Sequence, residues 1–223
     1  KNPLTVPLRL GLLGSDGKDL PLRLLVDDAS TSETDRVLSV TQEEQQFVFE
    51  GLESEPIPSL LRGFSAPVRL LYDYSRADLL FLMVNDSDGF NRWNASQLLT
   101  IGLIEELQSD LAAGRDLALP QSLVDAYAGV LDSMLSDPSM DKAMVAQLLS
   151  LPTVGFLIER AEVADVESIH LVREFLLNGL AARFYSSFLD VYTNNTSNAE
   201  YAADAESIAR RSLKNLALSY LMR

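Results

Sequence analysis

Cysteine is absent from this sequence, which removes disulfides, thiolate nucleophiles and sulfur-ligated metals. Histidine occurs once, at position 170, so no two-histidine zinc motif can be written. No apolar run approaches the roughly 18 residues that a membrane-spanning helix needs. The opening residues, Lys1-Asn2-Pro3, carry neither an initiator Met nor the apolar core of a signal peptide, and the start reads as a cut inside a longer protein. Basic residues are scarce: 18 Lys and Arg against 32 Asp and Glu leave a net charge of −14. Affinity for nucleic acid comes largely from Lys and Arg displacing counterions from phosphates, so this balance argues against nucleic acid and against anionic membranes as partners. The absence of cysteine suits a reducing compartment, and a cytoplasmic location is expected.

What is present is ordinary globular composition, 223 residues with 47% hydrophobic and 22% charged. The charge is uneven. Residues 27–55 carry Asp27, Asp28, Glu33, Asp35, Glu43, Glu44, Glu50, Glu53 and Glu55 against the single base Arg36. Solvated loops and strand edges account for such a run; an acidic face that attracts a cationic ligand or subunit is the functional alternative.

The first third reads as β. Val6, Leu8, Leu10 and Leu12 alternate with Pro7, Arg9 and Gly11, Ser15-Asp16-Gly17-Lys18 is a turn signal, and Leu20, Leu22, Leu24 and Val26 alternate again, which predicts a hairpin. Residues 36–41 and 46–50 predict two more short strands. The most orderly alternation lies in 60–74, where Phe64, Ala66, Val68, Leu70, Tyr72 and Tyr74 oppose Ser65, Pro67, Arg69 and Asp73. It predicts an edge or bulged strand, since Pro67 lacks a backbone donor. Short antiparallel strands over about 70 residues suggest a small sandwich, marginal alone at that size and leaning on whatever follows.

From Ser75 the pattern turns helical. Ser75 with Asp78 three residues on has the form of a capping box, and Asp88 is placed to cap the next helix. Phe90, Trp93, Ile101, Ile104, Leu107 and Leu111 share one face of that helix while Leu99 and Leu103 lie opposite, which predicts burial on both faces. Further helices are expected over 121–135 (between Pro120 and Pro138), 141–151, 154–162, 166–192 as one long helix, and 204–222, with a polar break at 194–198. Helix pairs with short links suggest a curved stack, without a fixed-period repeat. The last helix lacks a Gly, Asn or Pro stop signal, so the C-terminus also reads as a truncation.

Candidate chemistry is thin. His170 and Glu174 share a helix face at i, i+4, but a zinc site needs at least one further strong ligand. A surface pair is the plainer reading. Asp27-Asp28, or Asp86 with Asp88, could pair carboxylates on a metal. The second pair faintly resembles a calcium loop, yet position 12 counted from Asp86 is Gln97, and helix capping by Asp88 explains the stretch. Nothing resembles a nucleophile elbow. Trp93 and its aromatic neighbours read as core before they read as a pocket. Asn94-Ala95-Ser96 and Asn194-Asn195-Thr196 match the glycosylation pattern and are read as ordinary polar residues. No residue is assigned a catalytic, cofactor-binding or metal-binding role.

Leu60-Leu61, Phe64-Ser65-Ala66-Pro67-Val68, Leu70, Tyr72, Tyr74-Ser75, Phe81-Leu82-Met83, Asp86-Ser87-Asp88 and Phe90-Asn91-Arg92-Trp93 together resemble the bacterial aminopeptidase N family of zinc metallopeptidases. The likeness extends from residues 3–22 through QEEQQFVFEGL at 42–52 to RRSLKNLALSYL at 210–221. Asn85 and Gly89 depart from the pattern, where His and Pro are expected. The resemblance implies a small immunoglobulin-like β-sandwich over 1–74 and the first part of an all-α superhelical domain over 75–223. It implies a non-catalytic C-terminal fragment, acting as spacer and helical cover over the active site of a parent that removes N-terminal residues from peptides. The implied partners are the catalytic domain of the same polypeptide and, in the parent, peptide substrates, with no nucleic acid and no membrane. The implied cofactor is zinc in the parent and none in this chain, because neither the H-E-x-x-H motif nor G-A-M-E-N occurs here. Acidic bias would favour peptides with a protonated amine. The alternative is a stand-alone interaction module; a carbohydrate-binding sandwich has little support from a single tryptophan placed on a helix.

Overall fold

The computed structural model describes residues 4–27, 32–137, 140–198 and 200–223. Pro3, Asp28 and Pro138, each used above, lie outside them. The N-terminal strands are β1 (Val6–Leu13), β2 (Arg23–Leu24), β3 (Arg36–Val40), β4 (Phe49–Glu50) and β5 (Ile57–Leu60). Antiparallel pairing places β1 at the centre of a three-stranded sheet in the order β3-β1-β5, and β2 and β4 form a second, two-stranded sheet. Leu10, Leu12, Leu22 and Leu38 are buried between the sheets, with Leu20, Leu24, Phe47, Phe49 and Leu52 packed around them. Each such side chain contributes about 1.5–3 kcal/mol when fully buried. β3 and β4 fall within the segments expected to be strands.

The expected hairpin forms only at its turn. Gly14 N bonds to Lys18 O, Leu20 N bonds to Leu12 O, and Leu13 bridges Asp19. The returning chain then leaves β1 for the other sheet, because β3 and β5 occupy both edges of β1. A second correction concerns 60–74. The strand ends at Leu60, and Leu61, Gly63 and Phe64 take left-handed φ values of 58°, 60° and 53° through a 3-10 turn at Arg62–Phe64. Three left-handed residues in four turn the chain out of the ladder, and residues 65–74 join no sheet. The sequence alternation is therefore not expressed as burial: Ala66 is buried, but Phe64, Val68, Leu70 and Tyr72 are exposed.

Two helices follow: α1 (Arg76–Asn85) and α2 (Gly89–Ala112). The Ser75/Asp78 capping box is present, with Asp78 N donating to Ser75 Oγ at 3.1 Å and Ser75 N to Asp78 Oδ2 at 2.9 Å. Asp88 Oδ1 accepts Asn91 N at 2.9 Å at the start of α2. Asn85 closes α1 and Gly89 opens α2, so the two departures from the family pattern flank the intervening turn. The chain packs as two compact units, one ending at Ala95 and one beginning at Ser96, so the first unit takes α1 and the start of α2.

The second unit holds the rest of α2 with α3 (Gln121–Ser136), α4 (Lys142–Leu148), α5 (Val154–Arg160), α6 (Val166–Arg183), α7 (Tyr185–Asn194) and α8 (Ala205–Leu221). Asp141, Thr153, Asp165 and Asp204 cap α4, α5, α6 and α8 through their side-chain oxygens, each satisfying an orphan amide. Leu99 and Leu103 are buried, as are Ile101, Ile104 and Leu107, so α2 is covered on both faces. The single helix expected over 166–192 is broken at Phe184, which leaves helical geometry at φ −113°, ψ 23°. Its ring lies 6.2 Å from Tyr127 and 6.4 Å from Phe188, centroid to centroid. Apolar periodicity does not see this break, because no Gly or Pro marks it.

Candidate functional site

The feature that sequence reading missed is a buried arginine. β1 is buried on both faces in its second half, residues 10–13. On one face the leucines meet the apolar core. On the other, Gly11 leaves room for the Arg62 guanidinium: a Cβ at position 11 would stand 2.1 Å from Arg62 Cζ. Arg62 is 1% exposed. Its Nε donates to Ser59 Oγ at 2.8 Å, and Nη2 donates to Asp19 Oδ1 at 2.6 Å and Asp86 Oδ1 at 3.2 Å. Asp35, 3.8 Å from Nη1, is engaged in a two-pronged pair with Arg9 at 2.8 and 2.9 Å.

This junction ties the strands to the helices of the same unit. Asn91 Nδ2, in the first turn of α2, donates to Ser59 Oγ at 2.8 Å and Leu60 O at 3.0 Å. Ser87 Oγ donates to Asp19 Oδ2 at 2.5 Å, and Asp88 N to Asp86 Oδ1 at 2.9 Å. Asp86 Oδ2 and Arg92 Nη2 are buried without a hydrogen-bond partner. Burial pushes the Asp86 carboxyl above its usual 3.8, against the opposing pull of Ser59, the Asp88 amide and Arg62. Burial likewise lowers the Arg92 guanidinium. The charged and polar groups of the cluster are engaged chiefly with one another, and its chemistry is positional. A buried ion cluster adds little net stability over an apolar equivalent, but losing one member strands the rest.

The sequence candidates separate. His170 is exposed on α6, while Glu174 pairs with Arg223 and stands 3.8 Å from Arg173. Asp27 is engaged by Arg36 and by Leu24 N at 2.9 Å, and Arg36 holds its carboxyl below the usual range. Asp86 serves Arg62 and Asp88 caps α2. Trp93 packs 5.7 Å from Phe90. Among the described residues, no three of His, Cys, Asp and Glu come together where they could hold a metal ion. Among the described residues, no helix is long and apolar enough to cross a membrane. Of the acids in 27–55, Glu33, Glu43, Glu44, Glu50, Glu53 and Glu55 are exposed.

In the second unit, Tyr127 and Tyr220 are buried with their hydroxyls 2.9 Å apart, and both lie within hydrogen-bond distance of Leu149 O, at 2.9 and 2.8 Å. Two protons serve three contacts, so one contact is always without a hydrogen. Phe188 stacks on Tyr220 at 4.3 Å. Burial raises both phenols, Tyr220 to about 12. A cavity of about 230 Å³ opens beside α2, floored by Ile101, Ile104, Leu157 and Ile169 and edged by Glu105, Arg160 and Asp165. It holds no acid–base pair or nucleophile arranged for catalysis.

Comparison with known proteins agrees with this two-part reading. A family model described as "Domain of unknown function (DUF3458) Ig-like fold" matches residues 1–73, and one described as "Domain of unknown function (DUF3458_C) ARM repeats" matches residues 76–223. Aminopeptidase N of Escherichia coli (strain K12) is 36% identical over 221 residues, which is 99% of this chain and 24% of that protein. Aminopeptidase N of Haemophilus influenzae is 32% identical over 225 residues, covering 98% and 24%. A crystal structure of Legionella pneumophila aminopeptidase A in complex with aspartic acid superposes with a TM-score of 0.77 at 32% identity, over 98% of this chain and 24% of that one. The chain thus spans about a quarter of the length of the relatives it matches. The family borders at 73 and 76 fall before the packing border at 95/96, because the Arg62 junction draws α1 and the start of α2 onto the strands.

Proposed function

The chain belongs to the DUF3458_C family of ARM repeats, with a DUF3458 Ig-like fold ahead of it, and on that premise we propose that it is a non-catalytic part of a zinc aminopeptidase. The parent removes N-terminal residues from peptides, and its catalytic domain, on the same polypeptide, supplies the zinc and the amine-binding residues. Residues 1–74 act as spacer, and residues 75–223 begin a helical cover over the active site. The parent works in the bacterial cytoplasm. The observation that carries this reading is the match to aminopeptidase N along 99% of the chain and only 24% of the relative.

The role as spacer and cover has its own test. The full polypeptide is assayed on an amino-acid anilide and on a peptide of about ten residues, with and without Arg62→Ala. A junction that sets the position of the cover shifts the ratio of the two rates, peptide relative to anilide. Equal loss on both substrates, or no change, counts against the cover role.

A further inference from the structure

Residues 63–74 are fixed at both ends and bare between. Near the start, Arg9 N donates to Ser65 Oγ at 3.0 Å, Ser65 Oγ donates to Pro7 O at 3.0 Å, and Ala66 is buried. At the far end Tyr74 OH donates to Pro58 O at 2.7 Å. In between, Val68, Leu70, Leu71 and Tyr72 are exposed, Leu71 by 80%. Phe64 is 54% exposed although its backbone is held left-handed, a conformation that costs a non-glycine residue about 1–2 kcal/mol. Phe64, with one side of its ring 5.4 Å from Phe90 and the rest open on a strained backbone, stands beside four further large apolar side chains in one anchored segment, and together they mark a contact surface.

We propose that residues 63–74 are the strip on which the catalytic part of the same polypeptide docks, with Phe64 and Leu71 as its anchors. This rests on the reading that the chain is a piece of a longer aminopeptidase. Three observations select the occupant. The exposed side chains sum to apolar area on the order of several hundred Å², short of the roughly 800 Å² per partner that a standard contact between separate chains buries. Contact within one polypeptide does not carry the same association entropy, and smaller areas suffice. A second copy of a chain with net charge −14 is repelled by the first. The relatives that match 98–99% of this chain are about four times longer, and so carry a further surface in cis.

The test is thiol labelling of the full polypeptide. This part has no cysteine, so a thiol placed in it is read by the mass of its own peptide. Leu71→Cys is compared with Lys18→Cys, a position whose side chain is 83% exposed in a turn. Native labelling of position 71 is expected to be roughly tenfold slower than that of position 18, at every protein concentration, and equal to it after denaturation. Equal native rates in a polypeptide that still hydrolyses anilides overturn the docking strip and leave the aminopeptidase reading standing. Protection that fades on dilution assigns the strip to a second copy and overturns the proposal. A full polypeptide without a catalytic part removes the underlying reading and the proposal with it. Tyr72→Cys repeats the measurement where Leu71→Cys does not fold.

Discussion

Among the largest fully buried side chains, the unit ending at Ala95 contributes Arg62, whereas the unit beginning at Ser96 contributes Tyr127 and Phe188. The first unit has short strands and a small apolar core, and adds a charged junction whose members come from strand, loop and helix. The second has capped helices around rings and leucines, with a buried hydroxyl cluster at Leu149 O. The contrast is one of size. A small sandwich buries too little apolar area to fix its neighbours by packing alone, and directional polar contacts specify where α1 and α2 attach.

The contrast breaks most severely at Arg62. Arg62→Ala leaves Asp86 and Asp19 without their cation, and the first unit is expected to lose about 3–5 kcal/mol in chemical denaturation followed at Trp93. The second unit, followed by hydrogen exchange in α6 and α8, is expected to hold. Next comes Gly11→Ala, which drives a methyl group into the guanidinium and is expected to cost about 1–3 kcal/mol by the same probe. In the second unit Tyr220→Phe removes one of two protons shared by three contacts. About 1 kcal/mol is expected in a thermal melt, since Tyr127 still reaches Leu149 O.

The smallest effects sharpen the contrast by pH. Both units bury an acid whose folded value is raised, so each binds more protons folded than unfolded, and each contribution falls as pH rises through that window. For Tyr220 the window runs from the ordinary 10 to about 12, so the second unit should weaken there, and less in Tyr220→Phe. For Asp86 it begins at 3.8 and extends upward. The native chain should therefore gain relative to Asp86→Asn as pH falls from neutral toward that window, in paired urea titrations. A gap between the two that stays constant with pH contradicts the assignment.

Much of the fold was legible in the residues. Ser75, Asp78, Asp88, Asp141 and Asp204 announced helix starts because capping is local chemistry. The two-sided burial of α2 followed from spacing. The failures were non-local. Alternation at 64–74 could not show that β1 already had two neighbours, nor that Leu61 and Phe64 would turn left-handed. The break at Phe184 comes from aromatic packing, not from a breaker residue. The ARM-repeat character left no fixed period in the text. Arg62 had a faint signal: an arginine inside an apolar run, and a glycine within β1, where a bare Cα invites close approach. The expectation that no catalytic residue lies in this chain rests on missing motifs, and the parent's chemistry rests on the resemblance alone.

The central question is where the chemistry resides. Zinc content and anilide turnover, measured across the gel-filtration monomer peak of this chain and of the full polypeptide, test it most directly. The full polypeptide is expected to elute with about one zinc per molecule and with activity, as a single-zinc peptidase site requires. The 223-residue chain is expected to elute with neither. Zinc or turnover that follows the peak of this chain alone would contradict the account.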